Sequence, residues 1–267
     1  MQDIRVAAAI FNAPLGRIPE NLERMTAFCL EAADHGAGLI CFPEMAITGY
    51  SSDTAIVPFA LSTRSPRLRC LRQISDEHGL VILTGMAEKD PSGLVFATHL
   101  VFLPGKPLLK YRKLHIAPSE KTVFSGGSQI PVFEFQGFKF GIQLCYDAHF
   151  PFLSTQMAEK GADAVFIPHA SPRGTPEDKF SSWMRHIPAR SFDNGVFTVV
   201  CNQTGENGSG LSFPGLALIT DPSGHVISKD TSDREGLLYA DLKKSALDHV
   251  RNHSMRYFLP GMRKDLL

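Results

Sequence analysis

The stretch Gly141-Ile142-Gln143-Leu144-Cys145-Tyr146-Asp147 continues from Phe138 and Phe140 and reads as an apolar strand that stops abruptly on a cysteine. Phe150-Pro151 then opens a helix, stopped by Gly161, and residues 164–167 form another apolar strand, so the stretch sits inside a β-α-β pass. In α/β architectures the carboxyl ends of strands line the ligand crevice, and a thiol placed there points at substrate. On this stretch alone, Cys145 reads equally as a small buried hydrophobe, as most free cysteines do. Its partners decide between the two.

Working outward, two other strand ends carry reactive groups. The apolar run Leu39-Ile40-Cys41-Phe42 ends on Pro43-Glu44, and Leu108-Leu109-Lys110-Tyr111 runs into Arg112-Lys113-Leu114-His115. A thiol with a reference pKa of about 8.5 is only slightly ionised at neutral pH, so a nucleophilic cysteine needs a base or a positive neighbour. Glu44 can supply the first and Lys113 the second. A charged lysine also stabilises the oxyanion of a tetrahedral intermediate. Glu44, Lys113 and Cys145 are therefore a chemically complete acyl-transfer set.

The rest of the chain supplies a frame for such a set. Residues 4–11 form a first strand, and a helix from Pro19 carries Leu22, Met25, Cys29, Ala32 and Ala33 on one face before His35-Gly36 closes it. A short helix runs between Ser65-Pro66 and His78-Gly79. Hairpins turn at Asp90-Pro91-Ser92-Gly93, Gln136-Gly137 and Asp221-Pro222-Ser223-Gly224. A helix follows the loop 171–176 with Phe180, Trp183, Met184 and Ile187 inward, and Pro188 is expected to kink it. Helices alternating with strands, with hairpins among them, predict mixed sheets in one domain spanning 1–267. The tail 241–267 shows no clear strand or helix repeat.

Composition narrows the function classes. The chain has 267 residues, 43% hydrophobic and 20% charged, with 27 Lys+Arg against 27 Asp+Glu. A formal net charge of zero argues against nucleic acid or an anionic membrane as partner and for a small molecule. No run of 18 apolar residues predicts a membrane span. The start of the chain lacks the pattern of a secretory leader. The five cysteines are odd in number, widely spaced and free of any C-x-x-C pair, which predicts reduced thiols in a cytoplasm and no zinc site.

Three blocks carry a family resemblance: Phe42-Pro43-Glu44 with Thr48-Gly49-Tyr50, Tyr111-Arg112-Lys113-Leu114-His115, and Gly141 to Asp147 with Phe150-Pro151. In this order across one chain they resemble the signature blocks of the nitrilase superfamily of carbon-nitrogen hydrolases. Asn194-Gly195, Asn202, Gly205, Asp221-Pro222-Ser223-Gly224 and the basic end Arg263-Lys264 also fit. The resemblance implies a four-layer αββα sandwich with two mixed β-sheets, no metal and no cofactor, and Glu44, Lys113 and Cys145 as base, oxyanion stabiliser and nucleophile. It also implies self-association, at least a two-fold dimer, with the tail 241–267 a candidate to reach across.

Many amidase members place a second glutamate shortly after the lysine, and Glu120 matches that site; it also reads as a solvated loop carboxylate beside Lys121. The backbone N–H of Tyr146 can join Lys113 in holding an oxyanion, and His169 and Arg173 could line the pocket, although a solvated loop also accounts for them. Phe152 stands where the family usually has glutamate. Tyrosine and aspartate after the cysteine are typical of amidase-like branches, so the expected activity is hydrolysis of a small linear amide or N-carbamoyl compound through a thioester. The alternatives are a nitrilase and a catalytically silent binding protein on the same fold. A papain-like Cys-His enzyme would need a helix-borne nucleophile.

Overall fold

The computed structural model describes residues 2–263 and 265; residue 264 of the expected basic end, like 1, 266 and 267, lies outside the described residues. In chain order the first strands are β1 (Ile4–Ile10), β2 (Leu39–Cys41), β3 (Val81–Lys89), β4 (Val95–Phe102), β5 (Leu109–Arg112), β6 (Phe133–Phe135) and β7 (Phe138–Ile142). They are followed by β8 (Ala164–Pro168), β9 (Phe197–Cys201), β10 (Gly205–Glu206), β11 (Ser212–Phe213), β12 (Ala217–Thr220), β13 (Val226–Asp230) and β14 (Gly236–Leu242). The helices are α1 (Ile18–Asp34), α2 (Arg69–His78), α3 (Pro151–Glu159), α4 (Pro176–Trp183), α5 (Ile187–Asn194) and α6 (Lys244–Arg251).

Two six-stranded mixed sheets form, in the orders β14-β1-β2-β3-β4-β5 and β13-β12-β9-β8-β7-β6. Each has a parallel trio at its centre, β1-β2-β3 in one and β7-β8-β9 in the other, flanked by antiparallel strands. The period-2 alternation of a strand decides what each face meets. On β1, Val6, Ala8 and Ile10 belong to the core that also holds Ile142, Phe166 and Val199 of the second sheet. Ala7 and Ala9 face the other way, into a core shared with Leu22, Met25 and Cys29 of α1 and Leu71 and Ile74 of α2. On the second sheet α3 packs against β7, and α5 against β9 and β12. The result is the expected αββα sandwich, in which each fully buried Leu or Met contributes about 1.5–3 kcal/mol.

Two glycines let layers approach. A Cβ on Gly85 of β3 would lie 2.4 Å from Met45 N, and one on Gly141 of β7 would lie 2.4 Å from Met157 Sδ of α3. The first seats the Glu44-Met45 turn on β3 and the second seats α3 behind the strand that leads to Cys145.

Three local expectations are corrected. Pro188 does not kink a long helix: α4 ends at Trp183 and Pro188 lies in the first turn of a separate α5, where its missing donor costs no helical bond. Met184, expected inward, is 38% exposed at the exit of α4. The region after Asp241 is not structureless. β14 runs through Leu242, paired with β1 over seven residue pairs, and α6 follows, burying Leu247 and Val250. An eight-residue helix with two apolar anchors is too short to declare a period. Among the described residues no helix is long and apolar enough to cross a membrane.

Candidate active site

Glu44 lies three residues past the end of β2. Pro43 cannot donate to the ladder, so the strand stops, and Met45 turns away at a left-handed φ of 64°. Gln203 Nε2, just past β9, donates to Glu44 O at 2.8 Å and pins the turn. Lys113 leaves β5 with its N–H on Ala97 O at 2.9 Å and its carbonyl accepting from Gly127 N–H at 2.8 Å. Glu120 closes a short 3₁₀ turn, Pro118–Glu120, and its Oε2 accepts from Ala117 N–H at 3.2 Å. Glu44, Lys113 and Glu120 are 1%, 1% and 3% exposed.

These three side chains form one network. Lys113 Nζ donates to Glu44 Oε1 at 3.0 Å and to Glu120 Oε2 at 2.8 Å. The remaining oxygens are also occupied: Tyr50 O–H donates to Glu120 Oε1 at 2.8 Å, and Ala170 N–H donates to Glu44 Oε2 at 3.2 Å. Burying charge is tolerable when each ion is paired and its other lone pairs are satisfied. Two carboxylates around one ammonium still leave a surplus negative charge. Burial, with Glu120 adding to it against the pull of Lys113, raises the Glu44 carboxyl to about 7. Burial works against the Lys113 ammonium, but Glu44 and Glu120 outweigh it and hold the lysine charged, above its usual range.

Cys145 arrives from the other sheet. β7 ends at Ile142, the Gln143 amide is held by Ser154 at 2.9 Å, and Cys145 opens a 3₁₀ turn to His149 with φ at 42°. A non-glycine residue in the left-handed region costs about 1 kcal/mol or more and persists only where its surroundings impose it. Here Asp147 imposes it. Its carboxylate accepts from Leu144 N–H at 3.1 Å, Tyr111 O–H at 2.7 Å and His115 N–H at 2.8 Å, with His115 Nδ1 3.0 Å away. One buried aspartate thus ties the Cys145 turn to the strand that carries Lys113, and the stacking of His115 on Phe150, 3.6 Å between centroids, closes the same junction. Burial and the Glu44 charge push the Cys145 thiol up to about 12, against Lys113. At neutral pH the group is a thiol, which must lose its proton to a base before it can act as a nucleophile.

The other expected site residues fall differently. The N–H groups of Cys145 and Tyr146 precede the first bond of their 3₁₀ turn, which Asp147 N–H makes to Leu144 O at 2.9 Å, so they point out of the turn. The Tyr146 ring meets His149 and Phe150 edge-on. His169 is buried against Trp183, its Nδ1 on Ile167 O at 2.8 Å, and burial holds its imidazole well below the usual range. Arg173 is exposed at a φ of 73°, with its N–H on Ser212 O. Phe152, in the first turn of α3, is 53% exposed. A cavity of about 740 Å³ lies elsewhere, between α5 and the tail around Tyr257 and Phe258. Tyr50, Tyr111 and Asp147 have no role that the sequence declares; their place as polar residues inside the three blocks is the available signal. Gln203 carried none.

The sequence model of the carbon-nitrogen hydrolase family matches residues 5–252. A nitrilase from Pyrococcus abyssi is 30% identical over 245 residues, covering 90% of each chain. A 2-oxoglutaramate amidase from Bacillus subtilis is 29% identical, covering 96% of each. Among solved structures, a glutamate-to-leucine variant of an amidase from Nesterenkonia sp. AN1, with the acetamide moiety of fluoroacetamide covalently added at its active-site cysteine, superimposes with a TM-score of 0.80. It is 25% identical and covers 93% of this chain and 94% of its own. The chain belongs to the carbon-nitrogen hydrolases of the nitrilase superfamily.

Proposed function

We propose that this carbon-nitrogen hydrolase is an amidase that cleaves small linear amides or N-carbamoyl compounds through a thioester on Cys145. The observation that carries the reading is the Lys113 ammonium held between Glu44 at 3.0 Å and Glu120 at 2.8 Å, beside a cysteine fixed at a left-handed turn. Glu44 takes the thiol proton as Cys145 Sγ attacks the carbonyl carbon, and the carbonyl electron pair moves onto oxygen. Lys113 Nζ and the Tyr146 N–H stabilise that oxyanion; one such donor is worth a few kcal/mol, roughly 10²–10³ in rate. Glu44 then returns the proton to the departing nitrogen as the C–N bond breaks, and ammonia or an amine leaves. Water repeats the sequence on the thioester and releases the acid. Glu120 keeps Lys113 charged and in place.

A nitrile would enter the same site as a thioimidate and need two additions of water before the acid is released, so an amide-level intermediate would have to be retained. One exchangeable proton on Glu44 suits the shorter route. With matched acyl groups, kcat/KM is expected to be higher for the amide than for the nitrile. A nitrile preferred, with carboxylic acid as main product, would make the protein a nitrilase, the activity named for the Pyrococcus relative.

A further inference from the structure

The short ribbon β10-β11, paired over two residues on each side, takes no part in the reaction as proposed, yet its turn is tied to the charged network. Asn207, which directly follows β10, is 1% exposed, and all four of its polar groups are engaged. Its N–H donates to Leu211 O at 3.0 Å, and its carbonyl accepts from Leu15 N–H at 2.9 Å. Its side-chain Oδ1 accepts from Ser209 N–H at 2.9 Å and Leu211 N–H at 3.1 Å, which closes the turn of the ribbon. The fourth group leaves the ribbon altogether: Nδ2 donates to Tyr50 O at 2.9 Å.

Tyr50 is the link to the charges. Its O–H donates to Glu120 Oε1 at 2.8 Å, and the other Glu120 oxygen meets Lys113 Nζ at 2.8 Å. Burial, with the Glu120 and Glu44 charges added, holds the phenol above its usual range, so it stays a donor. The ribbon grips this tyrosine at a second point, where Phe213 of β11 meets its ring edge-on at 6.1 Å. The backbone before it is close-packed as well. A Cβ on Gly49, whose φ is 73°, would lie 2.4 Å from Cα of Leu15, the residue bonded to Asn207 O. Within its own loop Glu120 is held only by the longer bond from Ala117 N–H, 3.2 Å, so its place against Lys113 depends on Tyr50.

We propose that Asn207 is a positioning residue for the reaction: by fixing Tyr50 it sets where Glu120 sits against Lys113. The inference rests on the proposed reaction in that it concerns the same charged network. With Tyr50 fixed, its O–H satisfies Glu120 as an anion, and Glu120 shares the Lys113 ammonium with Glu44. When Tyr50 moves off, a buried carboxylate loses a donor, and Glu120 takes up a proton or turns away from Lys113. Either change removes negative charge from beside Glu44. The Glu44 carboxyl is raised by burial, lowered by Lys113, and raised again by Glu120 and Asp147. With less of the Glu120 contribution it titrates at lower pH, an effect that a turn shaping only the surface would not have.

The test is a double-mutant cycle on the pH dependence of Cys145 alkylation by iodoacetamide, which reads the Glu44 and Cys145 pair without any substrate. Asn207→Ser keeps a hydroxyl acceptor for the ribbon's turn but is too short to reach Tyr50 O, and Tyr50→Phe removes only the O–H. Each alone is expected to move the acid limb of alkylation to lower pH. Asn207→Ser should also lower kcat by about tenfold with KM little changed, the effect of one lost buried hydrogen bond. Combined, the two should move the limb no further than Tyr50→Phe does alone, because Asn207 acts through Tyr50. A limb that stays in place in Asn207→Ser, or two shifts that add in the double variant, overturns the proposal. Alkylation needs neither amide nor nitrile, so the cycle holds whichever of the two the protein hydrolyses, and a failure of the amidase reading shows separately in turnover.

Discussion

The two walls of the candidate site are built on different principles. The first sheet presents Glu44, Lys113 and Glu120, each held by side-chain bonds to another charge, with the remaining oxygens of the two carboxylates also occupied. The second sheet presents Cys145, held by backbone conformation: a left-handed φ of 42°, enforced from two residues away by Asp147. Charges can enter a dry interior only in mutual compensation, so the first wall stands or falls as a unit. A thiol carries no charge at rest and needs only to be aimed. Stability and activity should therefore be inseparable on the first wall and separable on the second.

The largest effect is expected from breaking the first wall at its centre. Lys113→Met leaves two buried carboxylates without a counter-charge, and removing one partner of a buried pair costs about 3–5 kcal/mol. Denaturant unfolding should show that loss together with a rate reduction of roughly 10²–10³ or more. If activity vanished with stability intact, the compensation argument would fail. Asp147→Asn sharpens the contrast at the junction of the walls. An amide oxygen replaces only part of the carboxylate's acceptor set toward Leu144, Tyr111 and His115, and each buried group left unpaired costs about 1–3 kcal/mol. Thermal unfolding should register the loss while the protein still folds.

The smallest and most specific effect is on pH dependence. In the proposed reaction Glu44 accepts the thiol proton as a carboxylate, and its carboxyl is raised to about 7, so kcat/KM should fall tenfold per pH unit below that point. Glu120 is one of the groups raising it. Glu120→Gln should therefore move the acid limb to lower pH, even as it weakens the hold on Lys113. A limb that stayed in place would separate Glu120 from the electrostatics of the base.

How much of this was legible in the sequence follows the same division. The apolar runs that became β1, β2, β7 and β8, and the residues at their ends, could be read directly because a strand buried on both faces is a continuous apolar run. Glu44 and Cys145 stood out as reactive types past such ends, and Lys113 past the end of β5, whose first two residues are exposed. Their distances could not be read, because Glu44 and Lys113 are 69 residues apart and meet only through the sheet. Asp147 was visible as a residue but not as a clamp, since Tyr111 lies 36 residues away. The two-residue ribbon β10-β11 and the split between α4 and α5 were lost for want of length.

In the proposed reaction Cys145 carries the acyl group. Mass spectrometry of protein quenched during turnover of an amide should find a gain equal to the acyl group on the peptide containing Cys145. Cys145→Ala should unfold at nearly the same temperature, carry no adduct and hydrolyse nothing measurable, a loss of at least about 10⁴-fold. Amide hydrolysis retained by Cys145→Ala, or an acyl group found on any other residue, would contradict the account.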